Sequence, residues 1–521
     1  SHVNLVNFVG YSLSELELVK RCLHVIVVYV ELDKQNEIVK QFKNMYTEIN
    51  IDNTLMTTFL DNITPCNDAD FEFIKGEIQK GEIERAITQL NRGKAPGPDG
   101  FPAELYMCFN KELSDLMCAV LNEGIKQNNM HDEFYEGIIN LLYKKGDEYE
   151  LNNWRQVTLM NIEYKIFAKV LMNRLEKILD KIINEEQTCG IKGRSMWDNL
   201  CIIRELITNK HLNESGFYIL ALDKKKAFDS ISREYLWAVL ERYNFPDVFI
   251  KMIKLLYLKS TVQVKVNGKL TEKIDICRGV KQGCPLSAAL YVLAINPLLT
   301  SLKKEEKLTG VYVNSELNKY VVSAFADDIT IFIKNQDELN TVFEHFKTYE
   351  RTSGASLNQS KTEAVWIGDD GENENINIEL KKEIKILGIY INNVNCVENN
   401  WSNWNISYIE KIELIKMFIL SKLMFLSIVF PPPEKTITAL NKLCIKTLWG
   451  NNREVTKRIF VYKSRENGGL GAFEIGDKLK ISYCKHVNEN IEKGSKWIGN
   501  KMDWEKIKCV KRRKIVILLN C

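Results

Sequence analysis

One short apolar run, Phe217 to Leu222, ends on a carboxylate, Asp223, and most constrains how this chain folds. A second carboxylate pair, Asp327 and Asp328, sits inside Ala324-Phe-Ala-Asp-Asp-Ile-Thr-Ile331, between two apolar segments that read as strand, tight turn, strand over Val321 to Ile333. Adjacent like charges raise each other's pKa, so a carboxylate pair at a hairpin tip is costly unless a cation sits beside it. Mg²⁺ takes oxygen ligands and keeps waters and substrate phosphates in its shell. The three aspartates can share one cation site only if both strand ends lie together in one sheet. By itself, an Asp-Asp pair in a hairpin is most often a solvated turn, so the argument needs the rest of the chain.

The remaining pattern surrounds these strands with helices. Residues 1 to about 75 read as a helical lead-in. Glu77 to Leu90 carries Ile78, Ile83, Ile87 and Leu90 at roughly helical spacing, with Gly93 as a stop. The stretch from about 101 to 215 reads as mainly helical. Ser232 is a helix N-cap, ahead of Leu236, Val239 and Leu240. Thr261 to Val266 alternates as a strand does, and a helix through Leu286, Leu290 and Leu293 meets Pro297, which kinks or ends it. Lys385 to Ile391 reads as one more short strand, and about 395 to 500 turns helical and Trp-bearing.

Bulk composition excludes more than it proves. The 521 residues suit two to four domains, and 45% hydrophobic with 27% charged residues is ordinary globular usage. With 71 Lys+Arg against 68 Asp+Glu, the net charge of +3 is too mild to indicate nucleic acid, so a basic groove requires local placement. The most apolar stretch, Met417 to Phe430, is short and contains Lys422, so no membrane partner is expected. Thirteen cysteines with no C-x-x-C pair point to free thiols in a reducing compartment.

Read in order, the motifs resemble those of right-handed-palm reverse transcriptases, above all the second open reading frame of non-LTR (LINE-type) retrotransposons and its Tx1/L1-like branch. Lys94-Ala-Pro-Gly-Pro-Asp-Gly-Phe101 resembles the fingers motif, and Trp154-Arg-Gln-Val-Thr-Leu-Met-Asn-Ile162 the family's Arg-Pro-Ile-Ser-Leu segment. Leu222-Asp-Lys-Lys-Lys-Ala-Phe-Asp229, Gly279-Val-Lys-Gln-Gly-Cys-Pro-Leu-Ser287 and Phe325-Ala-Asp-Asp328 are similar to the first, second and third palm motifs. Gly354 to Thr362 resembles the fourth, Ile386-Leu-Gly-Ile389 the primer-grip turn, and Leu448-Trp449 with Gly468-Gly-Leu470 the thumb and connector. Each motif is weak alone; eight in the right order are specific.

The resemblance implies an α+β fold with an antiparallel palm sheet, helical fingers and a helical thumb. It places a helical N-terminal extension at 1–76, fingers and palm at 77–392, thumb and connector at 393–500, and a basic tail at 501–521. It implies RNA-directed DNA synthesis, target-primed in the parent element, from template RNA, primer DNA and dNTPs, with Mg²⁺ or Mn²⁺ as cofactor. Asp223, Asp327 and Asp328 would hold the metal. Lys361 would donate a proton to pyrophosphate, unless it is simply a surface lysine. Phe228 would exclude a 2′-hydroxyl, unless it is simply core. Arg155, Lys281, Gln282 and Gly283 would contact the nucleotide, and Leu387 and Gly388 would form the primer grip. Asp229 would play a structural part near the site. Lys144, Lys145 and Lys224 to Lys226 could track phosphates, Trp401, Trp404 and Trp449 could stack on bases, and Lys506 to Lys514 could bind RNA or act as a nuclear address. A ribonucleoprotein in nucleus or cytoplasm follows; protein partners are left unspecified.

Departures are part of the same reading. Gln156 stands where the family usually has Pro, Lys281 where it has Arg, and Thr188-Cys189-Gly190 where it has Gln-x-Gly-Phe-like residues. An apurinic-type endonuclease domain is not expected within this sequence, and Cys484, His486, Cys509 and Cys521 do not give a zinc-knuckle spacing. The expectation is a truncated element or a fragment of one. Its alternative to the polymerase is a decayed or co-opted relic that binds RNA without catalysis.

Overall fold

The computed structural model describes residues 32–147, 150–208, 216–312, 319–358, 361–368, 376–393, 420–430, 432–449 and 475–492. Trp401, Trp404, Gly468 to Leu470 and the basic stretch Lys506 to Lys514 lie outside the described residues. The strands are β1 (Glu136–Tyr143), β2 (Trp154–Met160), β3 (Phe217–Leu222), β4 (Thr261–Val266), β5 (Lys269–Leu270), β6 (Ile274–Asp275), β7 (Val311–Tyr312), β8 (Lys319–Tyr320), β9 (Val322–Phe325), β10 (Asp328–Ile333), β11 (Glu363–Ile367), β12 (Ile384–Ile386) and β13 (Ile389–Ile391). Two compact units interleave along the chain. The first takes residues up to Ile183, Lys225–Pro297 and Thr348–Ser356; the second takes Asn184–Lys224, Leu298–Lys347 and everything from Leu357.

In the first unit, β1 pairs antiparallel with β2 and parallel with β4, whose other neighbours are β5 and β6. Strand β4 keeps period two, with Val262, Val264 and Val266 buried. Those valines and Ile139 pack under Val39, Phe42 and Tyr46 of the helix Leu32–Tyr46. The segment read as mainly helical thus contains β1 and β2. Its apolar run Ile138, Ile139, Leu141 and Leu142 hides the alternation, because the inward position beside Ile139 is filled by Gly137. Strand pairing then overrides local propensity, as it commonly does in sheets.

A buried arginine ties the helices of this unit together. Arg174, on the helix Ile162–Ile182, forks onto both carboxylate oxygens of Glu82 at 2.7 Å. Its remaining donors reach the carbonyls of Ile74, Gly76 and Glu77 at 3.2, 2.8 and 2.9 Å. Glu82 begins the helix Lys80–Thr88, and its Oε2 accepts from Gln79 N at 3.0 Å. The helix expected from Glu77 is therefore shorter, since Ile78 N is taken by the side chain of Asn122 at 2.9 Å.

The second unit is built on an antiparallel sheet, β11-β3-β10-β9. Strand β3 is almost wholly buried, as its unbroken apolar run requires. Phe217, Ile219 and Phe332 pack under Leu200, Ile203 and Leu206 of the helix Met196–Thr208. The same core takes in Leu423 and Leu426 of the helix Leu420–Val429 and the isoleucines of β12 and β13. The strand expected at Lys385 to Ile391 is a hairpin instead. Ile386 pairs with Ile389, and Leu387-Gly388 is its two-residue turn.

Pro297 does not end its helix, which runs from Ser287 to Lys304. A proline there removes one backbone hydrogen bond at a cost of about 3 kcal/mol. Leu293, Leu298, Leu299 and Leu302 are all fully buried on either side, and their burial outweighs that cost. The fold is α+β with the antiparallel palm sheet that the resemblance implies. No described helix is long and apolar enough to cross a membrane.

The fork at Arg174 generates a stability prediction. Arg174→Met keeps the volume but leaves the Glu82 carboxylate and three carbonyls without their donor. Denaturant titration should show a loss of about 3–5 kcal/mol; an unchanged midpoint would show that the fork contributes no net stability.

Candidate active site

The register of the second unit places the three carboxylates. Leu222 pairs with Ile329, so Asp223, the next residue, leaves the sheet at the end where Asp328 begins β10. Phe325 pairs with Asp328, which makes Ala326-Asp327 a two-residue hairpin loop. Both strand ends therefore lie in one sheet, as the shared-site reading demands. Ala326 has φ +53°. Glycine is the favoured residue in such a turn, and an alanine held there costs roughly 1–2 kcal/mol.

The electrostatics fit a cation site. Asp328 reaches solvent on one side. Loss of water on the other, then the charges of Asp327 and Asp223, push its carboxyl up to about 6, against the pull of Lys224. Lys224 is only 6% exposed. Burial pushes its ammonium down to about 7, while Asp327 and Asp328 draw it back up. This lysine is thus an internal countercharge to the pair, and its burial removes it from the phosphate-tracking role expected for Lys224 to Lys226. Lys225 and Lys226, like Lys144 and Lys145, are exposed.

The fourth motif folds back onto Asp223. Lys224 bridges Leu357 in antiparallel fashion, and Asn358 N donates to the Asp223 carbonyl at 2.8 Å. The Asn358 side-chain amide donates to Asp223 Oδ2 at 3.1 Å, and Lys361 Nζ stands 3.9 Å from the same oxygen. Lys361 is well exposed, so the pair contributes little to stability and leaves its ammonium free to move. The structure thus brings Asp223, Asp327, Asp328 and Lys361 to one place. Leu387 and Gly388 belong to another hairpin, with φ +47° and +87°. A bulky side chain with positive φ is a backbone outlier of the kind that concentrates at functional turns; Leu387 packs on the apolar core of this unit.

In the first unit, the Gly279–Gly283 loop lies against the turn at 228–231. Val280 N donates to the Phe228 carbonyl at 2.8 Å and Gly279 N to that of Ile231 at 2.7 Å. A Cβ on Gly283, where φ is +103°, would stand 2.8 Å from the Thr158 carbonyl oxygen, so only glycine fits. The Phe228 ring stacks on Tyr291 at 4.4 Å between centroids, half-buried and braced. Arg155 is exposed on β2. Lys281 is buried: its ammonium donates to the Tyr135 carbonyl at 3.2 Å and lies 4.5 Å over the Tyr164 ring. Burial pushes it down to about 7. Its visible work is to brace the loop from within.

Sequence reasoning missed the polar network beneath that loop. Gln282 Nε2 donates to Asp229 Oδ2 at 2.7 Å, and Tyr46 Oη donates to Gln156 Oε1 at 3.3 Å. Burial pushes the Asp229 carboxyl up to about 7, against hydrogen bonds from Gln156 and Gln282 and the charges of Lys226 and Arg278. The departure at Gln156 was the available signal: a buried amide in place of proline must find partners.

Because the Asp229 pKa is raised from 3.8 to about 7 on folding, its stabilising contribution is complete below 3.8 and is lost as pH rises through about 7. Asp229→Asn removes that titration. Its denaturation midpoint, compared with wild type, should improve progressively from pH 4 to pH 7; a constant difference over that range would sink the assignment.

The chemistry of the three aspartates suits a hard divalent cation, since all donors are carboxylate oxygens and a cation among them would relieve their mutual repulsion. Among the described residues, no group of three His, Cys, Asp or Glu side chains is already gathered into a metal cage. Residues 143–391 match the reverse transcriptase (RNA-dependent DNA polymerase) family. The chain is 29% identical over 420 residues to the transposon TX1 uncharacterized 149 kDa protein of Xenopus laevis, covering 76% of this chain and 32% of that protein. It is 29% identical over 304 residues to the retrovirus-related Pol polyprotein from type-1 retrotransposable element R2 of Popillia japonica, covering 56% of this chain and 40% of that one. With the corresponding polyprotein of type-2 element R2DM of Drosophila melanogaster, the identity is 24% over 286 residues, 55% of this chain and 26% of the relative. The chain thus spans less than half the length of these relatives. Residues 143–391 are accordingly a reverse transcriptase domain, and the chain that carries it is related to proteins of the Tx1 and R2 non-LTR retrotransposons.

Proposed function

We propose that this chain is an RNA-directed DNA polymerase that adds dNTPs to a primer 3′ end on an RNA template. The observation that carries the reading is the strand register: Asp223, Asp327 and Asp328 emerge at one end of one antiparallel sheet, inside a reverse transcriptase domain. In this reading the three carboxylates hold Mg²⁺, with Mn²⁺ as a substitute. Bound there, divalent cations would activate the primer hydroxyl and neutralise charge on the transferring phosphoryl group and pyrophosphate.

The chain's own residues do the rest. Lys361, exposed and beside Asp223, is the proton donor to the leaving pyrophosphate. Phe228 keeps its place because Tyr291 backs it, and it bars a 2′-hydroxyl by steric exclusion. Gln282, its amide turned by Asp229, and the side-chain-free Gly283 contact the nucleotide. Arg155 presents a guanidinium fork suited to phosphate oxygens, and Lys281 supports the loop that carries Gln282. Leu387 and Gly388 form the primer-grip turn. Fingers and palm occupy 77–392, and the helices Leu420–Val429, Glu434–Trp449 and Ile475–Glu492 belong to the thumb. In a parent element the synthesis is target-primed, by a ribonucleoprotein.

The test is primer extension on poly(rA)/oligo(dT) with dTTP and Mg²⁺. Wild type should extend the primer, and Asp327→Asn should lose on the order of a thousandfold in rate while remaining folded. A folded wild-type chain that binds the duplex but extends nothing with either metal would replace the polymerase with an RNA-binding relic. Undiminished extension by the variant would remove Asp327 from the site.

A further inference from the structure

The hairpin loop that carries Asp327 has an alanine at positive φ where glycine is favoured. Something must hold it. The segment just before Thr188-Cys189-Gly190 does so. Gln187, fully buried, accepts from Ala326 N at 2.8 Å through Oε1 and donates to the Ala326 carbonyl at 3.2 Å through Nε2. One side-chain amide therefore occupies both backbone groups of the residue that precedes Asp327. The same Oε1 accepts from Cys189 N at 3.1 Å, which locks the amide orientation.

The clamp is itself anchored. Gln187 bridges Ala324 in parallel fashion: Ala324 N donates to the Glu186 carbonyl at 2.9 Å, and Thr188 N donates to the Ala324 carbonyl at 3.0 Å. Asn199 then pins the join, donating to Ser323 Oγ at 2.8 Å and to the Ala324 carbonyl at 3.1 Å. Glu186 pairs with Lys303 at 2.6 Å. Residues 186–188 thus lie along β9 through a single bridge, and the Gln187 side chain reaches from there to Ala326, past the end of that strand.

We infer that Gln187 is a positioning residue for Asp327 and Asp328. Resting on the polymerase reading above, the inference is that this amide sets the direction in which both carboxylates leave the hairpin. The residue touches neither substrate nor metal. It acts through the Ala326 peptide, and supporting hydrogen bonds of this kind hold a reactive constellation within a fraction of an ångström. Freed of the clamp, Ala326 relaxes toward negative φ, and the aspartates must be gathered again each time a cation binds.

The experiment compares wild type with Gln187→Met, which keeps length and volume and removes both hydrogen bonds to Ala326. Three readouts are taken: Mn²⁺ binding from the free-ion paramagnetic resonance signal, steady-state extension of poly(rA)/oligo(dT) with dTTP, and amide exchange of the peptide 323–327. The variant should bind Mn²⁺ roughly tenfold more weakly and extend roughly tenfold or more slowly, since small misplacements of reacting groups carry costs of this size. The KM for dTTP should stay within about twofold, because the lost interaction does not bind nucleotide. A merely structural role would lower stability without moving the Mn²⁺ midpoint. Unchanged Mn²⁺ binding and rate in a folded Gln187→Met overturns the inference. Where the variant fails to fold, wild type decides: slow exchange at Ala326 supports the clamp, and fast exchange overturns it. Wild type that extends no primer overturns the polymerase reading instead, and the clamp is then judged on Mn²⁺ binding and exchange alone.

Discussion

Mutual repulsion among three carboxylates at one end of an antiparallel sheet is the constraint on which the second unit depends. Nothing in Asp223, Asp327 or Asp328 favours their proximity, so the arrangement has to be imposed by strand pairing. It is imposed twice, by the contact of β3 with β10 and by the closed hairpin of β9 with β10. A one-residue slip would exchange the two buried faces of β3, putting Tyr218 and Leu220 where Phe217 and Ile219 fit the apolar core, and that packing prevents it. Burial of isoleucines thus holds aspartates in a place they would not choose.

The charge stored there is tempered locally. Lys224 is turned inward beside Asp327 and Asp328 at the expense of its own hydration, and Asn358 takes up one oxygen of Asp223. A buried cationic group whose charge acts on the carboxylates lowers their repulsion without filling their coordination, which leaves oxygen atoms for a hard cation. The fourth motif is therefore more than a connection, since its backbone and its amide both end on Asp223.

The first unit solves a different problem with neutral donors. The loop carrying Gln282 and Gly283 must approach other backbone closely, and it is held by main-chain bonds to the 228–231 turn and by the Asp229 carboxylate. Two of the three departures from the family pattern, Gln156 and Lys281, fall beside it. Gln156 brings an amide to Asp229 and a partner to Tyr46, where a proline would bring neither. Lys281 is a compact point charge over one aromatic ring, where an arginine would offer a planar fork. Both substitutions change how the loop is braced, and neither touches the carboxylates.

The sequence by itself determined the reverse transcriptase family of residues 143–391 and pointed to the acidic residues proposed for the site. Strand β3 announces itself as an unbroken apolar run, the Asp-Asp pair lies between two such runs, and the motif order ties them to one family. Ser232 as a helix cap was equally legible, because a side chain that caps acts within three residues of itself. What only the tertiary structure decided are the interactions that link residues far apart in the chain. Strand β1 escaped notice because its alternation is filled by a glycine and its second partner, β4, comes more than a hundred residues later. Lys224 looked like a surface lysine because the acidic groups whose charge it meets belong to another hairpin. The role of Gln187 was not legible although it directly precedes the Thr188-Cys189-Gly190 departure: a glutamine's partners are unknown until the fold places a strained alanine within hydrogen-bond reach of both ends of its amide. Local patterns record what a residue needs from its neighbours in sequence; who meets its charge or its hydrogen bonds in space is settled by how the strands pair.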